Sequence, residues 1–143
     1  MIITVTEEHI SDLMILIKSL WPTAKETVYT KKINLSNEQL FLYYSKGQAM
    51  GFAQVSLRND YVEGTASSPV GYLEGIYVLP NMRRKNIAFE LLQACEHWAI
   101  GNGCSEFASD CTLDNQLSEN FHLASGFEEV GQIRHFKKSL TQS

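Results

Sequence analysis

The stretch GYLEGIYVLPNMRRKNIA, from Gly71 to Ala88, decides the fold. Its first half is an apolar strand that ends at Pro80, and its second half is a basic loop that leads into an amphipathic helix. A helix start offers backbone N–H groups without intrahelical partners at the positive end of the helix dipole, so this layout favours a bound anion. The strand also carries a carboxylate, Glu74, among apolar neighbours. An anion site beside an acid predicts group transfer from a cofactor that bears phosphate.

Strand and helix patterns alternate on both sides of this stretch. Apolar residues in alternating or continuous runs predict strands, and apolar residues three and four apart predict helices. The predicted strands are residues 2–5, 40–44, 49–58, 72–79, 106–109 and 130–138, and the predicted helices follow Thr6, begin at Ile87 and span residues 114–125. Residues 45–48 predict a hairpin, and residues 23–36 predict a loop with room for a short helix. The order β-α-β-β-β-α-β-α-β predicts a mixed α/β (α+β) arrangement.

Length and composition are typical of an ordinary globular protein. The chain has 143 residues, of which 44% are hydrophobic and 20% charged, and its net charge is −4. A sequence pI near 5.5 disfavours nucleic-acid binding, which usually needs a basic face, and suits a cationic substrate. We see no signal peptide and no apolar run near the ~20 residues that cross a bilayer. We therefore expect a single domain over residues 1–143, no membrane contact and a cytoplasmic location.

The cysteines and histidines do not predict a metal site. Cys95, Cys104 and Cys111 lack the paired spacing of zinc ligands, and their odd number argues against a disulfide framework. The favoured interpretation is that they are small apolar residues in a reducing compartment.

The order of elements and the basic loop together resemble the GCN5-related N-acetyltransferase (GNAT) superfamily. That family holds the pyrophosphate of acetyl-CoA on a loop of the form Gln/Arg-x-x-Gly-x-Gly/Ala, which Arg83-Arg84-Lys85-Asn86-Ile87-Ala88 matches here. Gly126-Phe127 also stand at the usual place of such a pair. The resemblance implies a central mixed, mostly antiparallel sheet, flanked by helices and splayed at the strand before the cofactor loop. It also implies acetyl-CoA as co-substrate.

A narrower resemblance, to the aminoglycoside 6'-N-acetyltransferases, covers essentially the whole chain. It rests on DYVEGT at 60–65, SSPV at 67–70, YLEGIYVLP at 72–80, EFASD at 106–110 and LWP at 20–22. It implies acetylation of the 6'-amino group of aminoglycoside antibiotics by direct attack of the amine on the thioester, and hence antibiotic resistance. It further implies a homodimer, with the C-terminal strand near residues 133–138 as an interface.

The resemblance places a cofactor site along the opening stretch. The backbone of Ile76, Tyr77 and Val78 would hold the pantetheine, and the pyrophosphate would lie on Arg83, Arg84, Lys85, Asn86, Ile87, Ala88 and Phe89. Alternatively, Arg83, Arg84 and Lys85 belong to a solvated basic loop that binds no phosphate. Asn115 matches a further cofactor contact, although a helix cap explains it nearly as well. Asn86 replaces the family's glycine. Because asparagine tolerates left-handed backbone, we expect a working loop with weaker cofactor binding.

An amine must lose a proton before it attacks a thioester, so the site needs a base or a water relay. Glu74 is one candidate, and Asp110, which by resemblance contacts the substrate amine, is the other. The sequence does not decide between them. Each also has an ordinary alternative, an outward-facing strand residue for Glu74 and a turn or capping residue for Asp110. Two carboxylates on one amine favour its ammonium form, which proton transfer must overcome.

Three further residues complete the predicted site. Trp21 and Tyr61 match substrate-binding positions, although Trp21 also completes the apolar face of the first helix. His122 stands four residues before Gly126, where many relatives have a tyrosine that protonates the leaving thiolate. It is either that acid or a partly buried helix residue. Two rival functions remain: a GNAT enzyme for another polyamine or a protein N-terminus, and a degenerate acetyl-CoA sensor.

Overall fold

The computed structural model describes residues 1–140 and is built on one five-stranded sheet. The strands are β1 (Ile2–Thr4), β2 (Glu38–Ser45), β3 (Gln48–Arg58), β4 (Val70–Val78) and β5 (Phe107–Ser109). The α-helices are α1 (Ile10–Leu20), α2 (Glu26–Lys32), α3 (Ile87–Gly101) and α4 (Gln116–Ala124), and 3-10 turns span Glu7–His9 and Pro80–Met82. The mixed α/β prediction is confirmed, and the short helix for which residues 23–36 left room is α2.

The strands lie in chain order, β1-β2-β3-β4-β5. Every pair is antiparallel except β4 with β5, which is parallel. The β2–β3 hairpin turns through Lys46 and Gly47, whose φ angles of 52° and 77° are those of a tight two-residue turn. The parallel pair needs a crossover, which α3 supplies. The mostly antiparallel sheet flanked by helices is therefore confirmed.

The two faces of the sheet carry different helices. On one face Leu13, Leu16 and Ile17 of α1 join a buried core with Leu42 and Phe52 of the sheet. On the other face α3 supplies buried Leu91, Leu92 and Cys95, and a Cβ on Gly51 would stand 3.3 Å from Leu91. Burial also raises the pKa of the Cys95 thiol, so this side chain stays neutral. These two cores hold β3 and β4 at the centre of the sheet.

An extra residue in β4 changes which face its side chains meet. Gly71 lies against Ala99 of α3, whereas Gly75 lies against Trp21 beyond α1. Residues four apart on a regular strand share a face. The register runs from Gln54 opposite Gly75 to Val55 opposite Leu73, so Glu74 has no partner on β3. This β-bulge reverses the alternation and brings Gly75 to the α1 face.

The chain divides into two compact units, Met1–Asp110 and a second unit that begins at Cys111. In the second unit α4 is capped by the Asn115 side chain, which accepts a hydrogen bond from the Ser118 amide at 3.0 Å. Gly126 follows the helix with a φ of 92°. The single domain expected from the sequence stays a prediction.

The predicted final strand over residues 130–138 is wrong, because the structure has no regular element there. A strand is stable only when its backbone is paired, and the described residues of the unit that begins at Cys111 include no strand that could pair with this segment. Its apolar side chains Val130, Ile133 and Phe136 are accordingly 50%, 69% and 89% exposed. Apolar and polar residues do alternate over residues 130–138, but alternation alone does not provide a neighbouring strand to pair with.

Gly75→Ala tests the contact between β4 and Trp21. A Cβ at this position would lie 2.3 Å from the Trp21 ring, so the indole must move. We expect a loss of about 1–3 kcal/mol in the free energy of unfolding, measured by urea titration, with a changed tryptophan emission spectrum. Gly101→Ala is the matched control, because nothing lies within 4 Å of its Cβ position. A Gly75→Ala protein as stable as the wild type would contradict the packing described.

Candidate active site

The bulge determines where the Glu74 carboxylate lies. Instead of pairing across the ladder, Glu74 turns its side chain onto the last residues of β3. Ser56 Oγ donates a hydrogen bond to Glu74 Oε2 at 2.5 Å. The Glu74 side chain is only 25% exposed, so it is neither a solvated strand residue nor buried without partners.

Arg58, at the end of β3, binds both oxygens of this carboxylate. Its Nη2 donates to Oε1 at 2.9 Å and to Oε2 at 3.0 Å, and its Nε donates to Oε2 at 3.2 Å. Burial lowers the pKa of the Arg58 guanidinium, but the hydrogen bonds and charge of Glu74 outweigh burial and raise that pKa. The forked geometry fixes the carboxylate in orientation as well as in position.

Tyr72 and Asp110 extend the cluster to the next strand. The Arg58 guanidinium carbon lies 3.4 Å from the centre of the Tyr72 ring, a stacked cation–π contact. The Tyr72 hydroxyl donates to Asp110 Oδ2, and burial together with this bond raises the pKa of Tyr72, which keeps the phenol neutral. Because Tyr72 pairs with Ala108 in the parallel ladder, Asp110 emerges beside it. The two predicted acids thus belong to one connected cluster.

Trp21 lies beside the cluster, whereas Tyr61 lies on the exposed loop between β3 and β4. The Trp21 indole covers Gly75, the neighbour of Glu74, and meets Phe52 edge-on at 6.0 Å. Trp21 is therefore part of the core and also borders the site. Tyr61 is 76% exposed, and its hydroxyl donates to Glu63 Oε2 at 3.4 Å.

The loop that carries Tyr61 is anchored by Glu106. This carboxylate accepts hydrogen bonds from the Ser67 hydroxyl and from the Ala66 amide, the latter at 2.9 Å. These bonds lower the pKa of Glu106. The anchor ties the acidic loop between β3 and β4 to the segment just before β5.

The sheet opens between β4 and β5, as the resemblance implies. The last residues of this parallel pair are Leu73 and Ser109, and β4 then continues to Val78 paired with β3 but not with β5. Leu79 N donates to Met50 O across the β3–β4 ladder. By antiparallel alternation the backbone groups of Val78 and Ile76 then point away from β3, toward the opened edge. Such an edge can take a chain-like ligand through backbone hydrogen bonds.

The basic loop after β4 is tightly wound. Arg84 and Asn86 both have left-handed backbone, with φ of 64° and 61°. This bears out the expectation that Asn86 would take the conformation that glycine allows. Arg83 turns back, so that its Nε donates to Val78 O at 3.2 Å and its guanidinium carbon lies 5.9 Å from the Tyr77 ring centre. Arg83 therefore braces the loop against β4.

The loop delivers the chain to the start of α3. Glu90 N donates to Asn86 O at 3.0 Å, the first bond of that helix. The amides of Ile87, Ala88 and Phe89 precede it and so lack carbonyl partners within the helix. Together with Arg84 and Lys85 they form the kind of cradle that binds phosphate.

The second unit holds the remaining predicted residues. His122 Nδ1 donates to Ser118 O at 2.7 Å, and its ring lies 5.0 Å from the Phe127 ring. The donor role of Nδ1 follows from its carbonyl partner, so a proton that this ring passes to a ligand would come from Nε2. Asn115 caps α4. The roles of both residues toward a ligand stay predictions.

Sequence reasoning missed Ser56, Arg58 and Tyr72. The first two alternate with Gln54 along β3, a period of two that marks one face of a strand. That pattern could have been noticed, but its connection to Glu74 depends on the bulge. Among residues 1–140 no group of three or more His, Cys, Asp or Glu side chains is arranged to hold a metal ion. In the same range no helix is long and apolar enough to cross a membrane.

Comparison with known proteins gives consistent matches. A sequence model described as the acetyltransferase (GNAT) family matches residues 5–127. An aminoglycoside N(6')-acetyltransferase type 1 of Acinetobacter genomosp. 13 is 43% identical over 97% of this chain and 98% of its own length. The enzyme of the same name from Acinetobacter baumannii is 41% identical with the same coverage.

Two solved structures are also similar in fold. AAC(6')-Iy bound to the bisubstrate analog CoA-S-monomethyl-acetylneamine has a TM-score of 0.92 and 35% identity, with 97% of each chain covered. The 6'-N-acetyltransferase AAC(6')-Ih from Acinetobacter baumannii has a TM-score of 0.90 and 40% identity, with 99% of each chain covered.

Proposed function

This chain belongs to the acetyltransferase (GNAT) family, and we propose that it transfers the acetyl group of acetyl-CoA to the 6'-amino group of aminoglycosides. The relatives named for that reaction are similar over nearly the whole chain, not only around the cofactor loop. The structural observation that carries the proposal is the connected cluster of Glu74 and Asp110 beside the opened edge of β4. The cluster suits a cationic amine, and the edge suits the arm of the cofactor.

The residues that would hold acetyl-CoA fit it by their chemistry. The opened edge at Ile76–Val78 presents backbone groups to the amide-bearing pantetheine, and the α3 start with Arg84 and Lys85 presents donors and charge to the pyrophosphate. When bound, the cofactor supplies an activated acetyl thioester. A backbone N–H near Val78 would stabilise the charge that develops on the thioester oxygen.

The reaction needs no covalent enzyme intermediate. The neutral 6'-amine attacks the thioester carbon, the new C–N bond forms, and the C–S bond breaks with both electrons leaving on sulfur. The amine proton passes to Glu74 or Asp110, directly or through water. His122 would return a proton to the thiolate, which requires a proton on Nε2 because Nδ1 donates to Ser118 O. Unimpaired turnover in His122→Ala would remove His122 from this role.

The substrate side is formed by Trp21, Tyr61 and the acids. Trp21 borders the cluster, and exposed Tyr61 offers a ring face to a sugar. Acidic side chains of the same unit, Asp60, Glu63 and Glu106 among them, favour a polycation. For the location we propose the cytoplasm, since Cys95, Cys104 and Cys111 are all free thiols, as is usual in a reducing compartment.

The defining test is the release of coenzyme A from acetyl-CoA in the presence of kanamycin-type aminoglycosides. We expect fast release with 6'-amino compounds and none with a matched 6'-hydroxy analogue. Glu74→Gln and Asp110→Asn should each slow the reaction by roughly 10²–10⁴-fold if the residue transfers the proton. Release with both compounds would move the proposal to another amine. Bound acetyl-CoA without release to any amine would favour a sensor.

Asn86→Gly tests the departure from the family's loop. The Asn86 side chain stands at a left-handed position where glycine lets a phosphate approach the backbone more closely. We expect the Kd for acetyl-CoA to fall by about fivefold, or roughly 1 kcal/mol, as measured by calorimetry. Lys46→Gly is the control, because it relaxes a left-handed residue in the distant β2–β3 hairpin. An unchanged Kd in Asn86→Gly would reject the idea that Asn86 weakens the loop.

We further propose that the protein is a homodimer in which residues 133–138 form an interface. The exposure of Ile133 and Phe136 supports this, since exposed large apolar side chains are typical of protein–protein interfaces. Light scattering should give twice the 16.2 kDa chain mass, and Phe136→Asp should lower it toward one chain. Ile100→Asp, which changes an exposed apolar residue on α3, should stay dimeric. A monomeric wild type would exclude this assembly.

A further inference from the structure

A fixed positive charge lies within the acid cluster. Arg58 binds both oxygens of Glu74, stacks on Tyr72, and through Tyr72 is connected to Asp110. We propose that Arg58 is a positioning residue that stays in place during the reaction and cancels one carboxylate charge, so that an amine held by two acids can still give up its proton. This inference rests on the proposed acetylation of an amine.

Arg58 and the charged groups that face it together sum to a single negative charge. From β4 it faces Glu74 and the neutral phenol of Tyr72, and beyond β5 it interacts with Asp110. On β2, opposite Ser56, Glu38 is paired with Lys32 of α2 at 3.0 Å and adds no net charge. With Arg58 in place, the two carboxylates therefore match one ammonium and no more.

This balance addresses a conflict in the chemistry of the site. A polycationic substrate binds well to carboxylates, but two uncompensated carboxylates favour the ammonium form of its amine, which cannot attack a thioester. A guanidinium beside the pair opposes that effect. Arginine suits this position because its pKa lies far above neutrality, so its charge does not vary over the pH range of the reaction.

Each acid keeps an oxygen that can accept a hydrogen bond from the amine while Arg58 remains bound. A carboxylate oxygen has two lone pairs, and Glu74 Oε1 accepts only the bond from Arg58 Nη2 among residues 1–140. Asp110 Oδ2 accepts from Tyr72, whereas Oδ1 accepts no hydrogen bond within that range. One oxygen on each acid can thus receive an amine proton without breaking the Arg58–Glu74 pair.

The test is the pH dependence of a single turnover. Pre-formed complexes with acetyl-CoA and a 6'-amino aminoglycoside are followed between pH 5.5 and 9 for the wild type, Arg58→Gln, Arg58→Lys and Ser56→Ala. In Arg58→Gln we expect the rising limb of the pH–rate profile to shift to higher pH by about 1 unit or more. The reason is that the positive charge beside the two carboxylates has been removed. The rate at pH 7 should fall roughly tenfold, while aminoglycoside binds the CoA complex as tightly as before or more tightly.

The two other variants separate charge from orientation. Arg58→Lys keeps the charge, so its profile should stay near the wild-type position. Ser56→Ala removes a hydrogen bond from the same carboxylate without changing charge, so whatever its rate, its profile should not move. Thermal unfolding checks each protein, and Arg58→Met replaces Arg58→Gln if the latter does not fold.

The outcomes are distinct from those of the proposed function. A wild type that acetylates no aminoglycoside would count against the function itself. An active wild type whose profile is unchanged in Arg58→Gln would overturn this inference alone. Weaker aminoglycoside binding with an unmoved profile would show that Arg58 only shapes the site. Equal shifts of the pH–rate profile in Arg58→Gln and Ser56→Ala would also overturn the inference about Arg58. The orientation of the Glu74 carboxylate, and not the charge of Arg58, would then explain both shifts.

Discussion

Glu74 is one residue too many for the ladder between β3 and β4, and the arrangement of the site follows from that extra residue. Without the bulge, Gly75 would not meet Trp21, and Glu74 would not reach Ser56 and Arg58. A bulge interrupts a ladder locally and gains nothing in pairing. Here its cost is offset by the packing of Trp21 over Gly75 and by the hydrogen bonds to the carboxylate. The packing of β4 and the geometry of the candidate site therefore depend on the same irregularity.

Strand β4 serves two sites at once. Toward β3 it supplies Glu74 and Tyr72, the groups that we assign to the amine. Beyond its last pair with β5 it presents the backbone of Ile76 and Val78, which we assign to the cofactor arm. A central strand held by α1 on one face and α3 on the other is rigid, and rigidity suits a reaction that depends on placing two substrates in line. The tight loop with left-handed Arg84 and Asn86 then links this strand to the start of α3, which we assign to the phosphates of the cofactor.

Much of this could be predicted from the sequence, because local rules determine it. Pro80 ended the strand, the spacing of Leu91, Leu92 and Cys95 predicted α3, and the tolerance of asparagine for left-handed backbone predicted the conformation of Asn86. Arg58 was missed because its partner depends on strand register, which a single bulge shifts by one residue. The strand over residues 130–138 was predicted wrongly because period-two alternation reports two faces, and a strand also needs a neighbour. Neither the register between two strands nor the presence of a neighbouring strand can be read from the local sequence pattern.

We propose above all that Glu74 and Asp110 together receive the substrate amine while Arg58 remains bound to Glu74. A crystal structure of this protein with coenzyme A and a 6'-amino aminoglycoside tests it most directly. We expect the 6'-nitrogen within about 2.7–3.1 Å of an oxygen on each acid, with the Arg58–Glu74 pair intact. An amine bound away from both acids, or an Arg58 side chain displaced from Glu74 by the substrate, would contradict it.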